Sequence, residues 1–350
     1  MAAYHDTTEI GATDMYEIDF LPVGDGGRSG DAITIRFTKP SGGAGHVIID
    51  AGFEDDGEAL VEHVQRYYGT SQIDLAILTH PDGDHIGGMG VVVRELDVGT
   101  LWLHDLGARG GASLDAAEAI DDLMGVASDN GTAVAEPFAG ASAFGRALRI
   151  LGPTEEYYEE LVGEQLLVSK PVGGARALLE ATRRRADRFL AALPMEIPFD
   201  DGDGTSPRNN SCIVTMLEVA GRRFLFTADA GVPALHSAWD YLEGSGLGAE
   251  APYFAQIPHH GSRRNASSEL LTRLYGGTGQ STSRSALVSV SKNADAKHPS
   301  PRVVNAYMRR GFNVVQTVGR TICERSDDAP TRPGWGPVDP LAPMDESLED

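Results

Sequence analysis

The sequence predicts an α/β protein built from two packed β-sheets with helices on both outer faces. Three observations point there. Short apolar strands cluster in both halves of the chain, amphipathic stretches with helical spacing are dispersed between them, and several apolar runs end in Asp, His and Gly. With 350 residues and 41% hydrophobic content the chain can bury a sizeable core, and α/β folds of this length often form one domain carrying an insertion. The expected organisation is an arm over residues 1–13, one domain over 14–325 with a helical insertion at about 104–205, and a tail at 326–350. That tail is rich in Pro, Asp and Glu and reads as disordered.

The elements follow in order. Strands are predicted at 15–21, 32–37 and 46–50, separated by Gly-rich turns such as 23–31. Leu60, Val61, Val64 and Tyr67-Tyr68 have helical spacing over 57–68. A strand at 73–78 is followed by a helix at 87–96, a strand at 101–103, a helix at 113–127 and a strand at 147–151. Pro153 stands where another helix would begin. Residues 175–193 read as an amphipathic helix whose polar side carries Arg183, Arg184, Arg185 and Arg188, either a solvated face or a basic wall toward substrate. Segments 213–219 and 223–227 form a hairpin around Gly221-Arg222. Strands at 286–290, 313–317 and 320–323 then alternate with helices at 267–274 and 301–310.

Bulk properties narrow the function. A formal net charge of −22 argues against loose binding to nucleic acid, although it leaves room for a polyanionic substrate in a site neutralised by cations. No apolar run approaches the roughly 18 residues that span a bilayer, and the N-terminus lacks a basic start and apolar stretch, so a cytoplasmic protein without membrane contact is expected. Cys212 and Cys323 are too few for a disulfide framework and lack metal-ligand spacing. No Gly-x-Ser-x-Gly elbow is present, and the Gly-rich 24–30 stretch lacks the Lys-Ser/Thr ending of a P-loop.

The chemistry concentrates in His80-Pro81-Asp82-Gly83-Asp84-His85, which packs two imidazoles and two carboxylates into six positions directly after an apolar strand. Nitrogen and oxygen ligands this dense suit one or two divalent cations of the Zn or Mn type. Matching strand ends occur at Ile49-Asp50-Ala51-Gly52, Phe226-Thr227-Ala228-Asp229-Ala230-Gly231 and Gln256-Ile257-Pro258-His259-His260-Gly261-Ser262, with a weaker one at Ser291-Lys292-Asn293 before His298-Pro299. His5, His46, His63 and His236 read as ordinary surface or core residues.

This order of segments resembles the metallo-β-lactamase-fold hydrolases, whose architecture is a four-layer αββα sandwich. The closer resemblance is to the soluble nuclease-like domain of the DNA-uptake protein ComEC and its free-standing relatives. It rests on Gly30-Asp31-Ala32, Leu151-Gly152-Pro153-Thr154, Arg208-Asn209-Asn210-Ser211, Val290-Ser291-Lys292-Asn293 and His298-Pro299-Ser300. The resemblance implies that Asp84 and His85, with His259 or His260, hold one metal, that His80 and Asp82 hold another, and that Asp229 bridges both. It implies that Asp50 orients the first motif. Where the family commonly has His, this chain has Asp82, and it offers Asn209 or Asn210 in place of another, so the His80/Asp82 site is expected to be oxygen-rich.

Two ions about 3.5–4 Å apart would activate a water and stabilise the leaving oxyanion. Asp84 would orient that water, and Lys292 and His298 are the candidates to assist the transition state or leaving group. The function expected is dinuclear metal-dependent hydrolysis of phosphodiesters, in DNA, RNA or nucleotides. A small ester, lactone or choline-phosphodiester substrate is one alternative. A metal-binding component of a multiprotein system, gated by a protein partner, is another.

Overall fold

A computed structural model describes residues 14–24, 26–105, 114–168, 204–248, 250–281, 283–294 and 298–349. The predicted arm at 1–13 and the Arg-rich helix at 175–193 lie outside these residues.

β1 (Tyr16–Phe20), β2 (Ala32–Thr38) and β3 (Ala44–Ala51) run antiparallel. Helix α1 (Glu54–His63), extended by a π turn at Val64–Tyr68, carries the chain to β4 (Gln72–Ile77), which is parallel to β3. A single turn α2 (Gly83–Ile86) and α3 (Met89–Glu95) lead to β5 (Asp97–Trp102). Helix α4 (Leu114–Asp129) then leads to β6 (Ala133–Ala135), and both strands are again parallel.

The second sheet repeats the plan. β7 (Ser142–Ala143) and β8 (Leu148–Gly152) are followed by α5 (Glu155–Val168) and the short α6 (Pro207–Asn210), then by β9 (Val214–Val219) and β10 (Arg222–Phe226), and the four strands pair antiparallel. Helices α7 (Val232–Gly244), α8 (Ser268–Tyr275) and α9 (Pro301–Arg309) connect β10 to the parallel strands β11 (Phe254–Gln256), β12 (Arg284–Val288) and β13 (Phe312–Gln316). β14 (Ile322–Arg325) returns to pair with β1. The sheet orders are β14-β1-β2-β3-β4-β5-β6 and β13-β12-β11-β10-β9-β8-β7. Of the insertion expected at about 104–205, the described part includes β6, β7 and β8, which pair into the two sheets, while 106–113 and 169–203 lie outside the described residues.

Strand alternation explains the layers. Tyr16, Ile18 and Phe20 of β1 face Phe224, Phe226 and Phe254 of the other sheet, with the Tyr16 and Phe224 rings edge-on at 4.7 Å. The outward residues of each sheet pack under helices: Leu60, Val64 and Val92 cover one face, and Leu235, Trp239, Leu270 and Val303 the other. Each large apolar side chain so buried contributes roughly 1.5–3 kcal/mol. The sandwich is therefore rigid where its strands end, and the ligating motifs sit at those ends.

The tail corrects an expectation. Composition predicted disorder, yet residues 326–349 lie along the domain. Glu17 and Asp19, on the outward face of β1, are fully buried. Arg332 donates from Nη1 to Asp19 Oδ1 at 2.7 Å, and from Nη2 to Asp19 Oδ2 at 2.9 Å and Glu17 Oε1 at 3.0 Å. Its guanidinium lies 4.7 Å from the ring centroids of both Tyr67 and Trp335. One ionic and aromatic anchor does what the missing apolar mass could not.

Candidate metal centre

The parallel strands of both sheets deliver their C-terminal ends to one place, where ligands commonly bind in α/β folds. Asp50 is the penultimate residue of β3; after β4 comes the run Thr79 to His85, after β10 Asp229, and after β11 His259 and His260. Asp50, Ala228, His259 and His260 all have positive φ, at 56°, 45°, 47° and 54°. Non-glycine residues seldom adopt this region, and such strain concentrates where function over-determines the backbone. Two glycines make room. A Cβ on Gly30 would lie 2.2 Å from the Asp84 carbonyl oxygen, and one on Gly261 would lie 2.6 Å from Pro299 Cβ.

Asp229 is the centre of the cluster. Its Oδ1 lies 3.6 Å from His85 Nε2 and 3.7 Å from His260 Nε2. Its Oδ2 lies 3.8 Å from His80 Nε2 and 3.5 Å from His259 Nε2. Asp82 Oδ2 is 3.5 Å from the same His80 nitrogen. Asp84, His85 and His260 bring ligand atoms within 4.8 Å of one another, as do Asp31, Asp229 and His260.

These separations exceed a hydrogen bond but suit ligands that share a small divalent ion at about 2 Å each. Among the described residues, Nε2 of His80, His85 and His260 and Oδ1 of Asp229 are buried with no hydrogen-bond partner. Four buried polar atoms without partners and aimed at one another are costly unless a cation satisfies them. The residues present therefore fit a divalent metal.

The opposite edge of each ring is already fixed, as ligand histidines require. His85 Nδ1–H donates to Asp50 Oδ2 at 2.8 Å. Asp50 also accepts from Thr79 N at 2.8 Å and from Thr79 Oγ1 at 2.6 Å. His80 Nδ1 is 3.1 Å from Thr79 Oγ1, and His260 Nδ1–H donates to the Ser289 carbonyl at 3.1 Å. His259 Nδ1 lies 3.1 Å from the side-chain amide of Asn209. Asn210 is buried beside Gly231 and does not line the cleft.

Gln256, which sequence reasoning did not single out, ties the halves together. Its Oε1 accepts from Thr227 N and Ala228 N, each at 3.0 Å, and so fixes the strand end that aims Asp229. Its Nε2 donates at 2.9 Å to Oδ2 of Asp31, which immediately precedes β2 of the other sheet.

Electrostatics agree with a cation-shaped site. Burial, then the neighbouring carboxylates, pushes Asp229 well above the usual carboxylate range. Burial lifts Asp31 to about 6. Burial depresses His80, His259 (to about 4) and His260, so these rings are neutral ligands near pH 7. His85 is opposed by burial yet held well above the imidazole range by Asp229, Asp50 and Asp31.

The cluster opens into a cleft of about 870 Å³, lined at one end by Asp82, Asp84, Asp229 and His259 and further out by Ser262, Arg263, Arg264, His298, Pro301 and Met344. Arg208 reaches Asp82 at 2.6 Å. Several described arginines are neutralised: Arg36 by Glu17, Arg149 and Arg223 by Glu218, Arg273 by Asp240 and Glu243, and Arg309 by Glu346. Arg263 and Arg264 line the cleft and make no ion pair among the described residues. Their only sequence signal was adjacency to His259-His260-Gly261-Ser262. Lys292 is not brought to the centre: it is exposed, its stem lies against Gly319, and it does not line the cleft.

Sandwich and cluster together form a scaffold whose residues can hold divalent metal. Residues 25–167 match the Metallo-beta-lactamase superfamily, which supports a domain of that superfamily in this chain and implies metal-dependent hydrolysis. The match takes in Asp50 and the His80–His85 motif, while Asp229, His259 and His260 lie beyond it. Over 142 residues the chain is 28% identical to "Uncharacterized protein YcaI" of Escherichia coli (strain K12), covering 39% of this chain and 16% of that protein. Among the described residues no helix is long and apolar enough to cross a membrane.

Proposed function

We propose that the chain is a dinuclear metal-dependent phosphodiesterase acting on nucleic acid or nucleotides, as the resemblance to the ComEC nuclease-like domain suggests. The observation that carries the substrate class is the pair Arg263 and Arg264. Among the described residues they have no acidic partner, and both line the metal-competent cleft, in a chain of net charge −22. A cleft that keeps two cationic side chains uncompensated beside a carboxylate cluster is suited to an anionic substrate that bridges the two.

Asp229 is the bridging ligand in this reading. His85, His260 and Asp84 complete the site on its Oδ1 side, and His80, His259 and Asp82 the site on its Oδ2 side. Both His259 and His260 are thus used, and His259 supplies the imidazole that Asn209 does not. Mixed nitrogen and oxygen donors suit Zn²⁺ or Mn²⁺. Asp82 is shared with Arg208 and His259 is the most exposed of the four rings, so the Oδ2-side site is the weaker. Two bound divalent ions supply an activated water and charge stabilisation for the phosphoryl group. Asp50 holds His85 in the tautomer that offers Nε2, Arg263 and Arg264 bind non-bridging phosphate oxygens, and His298 stands in the cleft where it can protonate a leaving oxygen.

The test is a panel of plasmid, single-stranded DNA, RNA and bis-p-nitrophenyl phosphate with Mn²⁺ or Zn²⁺ added. Turnover of at least one that EDTA abolishes is expected. Turnover of none, with hydrolysis of a carboxylic ester or lactone instead, would overturn the substrate class.

A further inference from the structure

The C-terminal segment reaches the cleft. From the Arg332 anchor the chain passes β13, where Leu341 N donates to the Val314 carbonyl at 2.8 Å. It is then clasped by Asn305 of α9. Asn305 Nδ2 donates to the Met344 carbonyl at 2.8 Å, and Asn305 Oδ1 accepts from Met344 N at 2.9 Å. This two-point clasp fixes the backbone of Met344 as a neighbouring strand would. Glu346 adds a bond to Asn305 at 2.8 Å and an ion pair with Arg309.

Met344, held by that clasp, lines the cleft together with Pro301, and it is also packed against the apolar core. Met344 and Pro301 are the two large apolar residues among lining residues that are otherwise Asp, Gly, Ser, Thr, Asn, His and Arg. A thioether is polarizable, adapts its shape, and packs favourably against the face or edge of an aromatic ring.

We propose that the C-terminal strap completes the substrate cleft in cis and that Met344 is a specificity-determining residue. Its thioether packs against an aromatic ring, a nucleobase in the substrates considered, borne by the phosphodiester whose phosphate the two arginines and the metal centre hold. This rests on the phosphodiester reading above, and it adds that ring-bearing diesters are preferred over ring-free ones.

The experiment compares a dithymidine monophosphate diester with glycerophosphocholine, a ring-free phosphodiester, using full-length metal-loaded protein and following products by chromatography. For wild type, kcat/KM is expected to favour the dinucleotide. Met344→Ala should raise KM for the dinucleotide by roughly three- to tenfold, as loss of one sulfur–aromatic contact implies. Its kcat/KM on glycerophosphocholine should move less than twofold, and Met344→Leu should stay near the wild-type KM. Asn305→Ala, which releases the strap without altering a cleft side chain, should reproduce the KM effect with a native circular dichroism spectrum. An unchanged dinucleotide KM in both Met344→Ala and Asn305→Ala would overturn the proposal and leave the phosphodiesterase reading intact. Equal loss on both substrates would make the strap a purely structural element and overturn it likewise. Wild-type protein that hydrolyses neither substrate would overturn both readings together.

Discussion

Replacing Arg332 by Ala tests how the tail is held. The change removes a guanidinium that binds two fully buried carboxylates, at 2.7 and 2.9 Å for Asp19 and 3.0 Å for Glu17. Breaking a buried pair costs about 3–5 kcal/mol because a charge is left uncompensated. Here both acids keep other partners. Tyr68 Oη donates to Asp19 at 2.8 Å, His63 lies 3.2 Å from it, and Arg36 stays on Glu17. The lower end, about 3 kcal/mol, is the appropriate figure. At roughly 2–4 °C per kcal/mol for large domains, the melting temperature at pH 7 should fall by about 6–12 °C.

The pH dependence gives that prediction a second signature. Burial alone would raise Asp19, but His63 and Arg332 outweigh it and lower its pKa from 3.8 to about 2. A depressed folded pKa stabilises the fold above pH 4 and ceases to as pH falls toward 2. The gap between wild type and Arg332→Ala, read from circular dichroism melts at pH 7, 5 and 3, should therefore be full at the first two and narrow at the third. A fall below about 2 °C at pH 7, or a gap independent of pH, would refute the account of the anchor.

Three other outcomes follow from the site. Arg263→Ala and Arg264→Ala should each raise KM for nucleic acid several-fold and flatten its salt dependence, with bound metal unchanged; a salt response identical to wild type would remove them from substrate binding. Gln256→Glu sets two carboxylates against each other at the 2.9 Å contact with Asp31 and should lower metal affinity and kcat at least tenfold. Adding Asp31→Asn restores a donor and should recover much of the loss, whereas absence of recovery would deny the clamp. Lys292→Ala should keep kcat within about threefold while His298→Ala loses more than tenfold, so a reversed order of the two rates would contradict the cleft assignment.

Much of this architecture is legible in the sequence because strand ends carry local signatures. Asp50, His80 to His85, Asp229 and His259-His260 each follow an apolar run, and a strand that points its last residues into a shared space needs no distant information to be noticed. What the sequence could not convey is which oxygen of Asp229 each ring faces. That follows from two sheets meeting at their parallel strand ends. The repeated plan of the two sheets leaves no period in the residues, since packing constrains only alternation and length. For Lys292 a motif position says nothing about the side chain's direction: it is exposed, with its stem against Gly319. The tail was misread because composition averages over residues, whereas a single Arg332 with two acids and two rings decides its course. Gln256 and the Arg263-Arg264 pair were missed for a related reason: their importance lies in partners, or the lack of them, far away in sequence.

The central proposal is that Asp229 joins two metal sites, each built from both halves of the sandwich, and metal stoichiometry tests it most directly. Purified chain reconstituted with Zn²⁺ or Mn²⁺, dialysed and analysed by plasma mass spectrometry, should carry two ions per chain. Asp229→Ala should carry fewer than one and show no metal-dependent hydrolysis, because each site loses an oxygen ligand and the pair loses its compensating charge. A wild-type chain that binds no metal after reconstitution, or an Asp229→Ala variant that keeps both ions and a near-normal rate, would contradict the account.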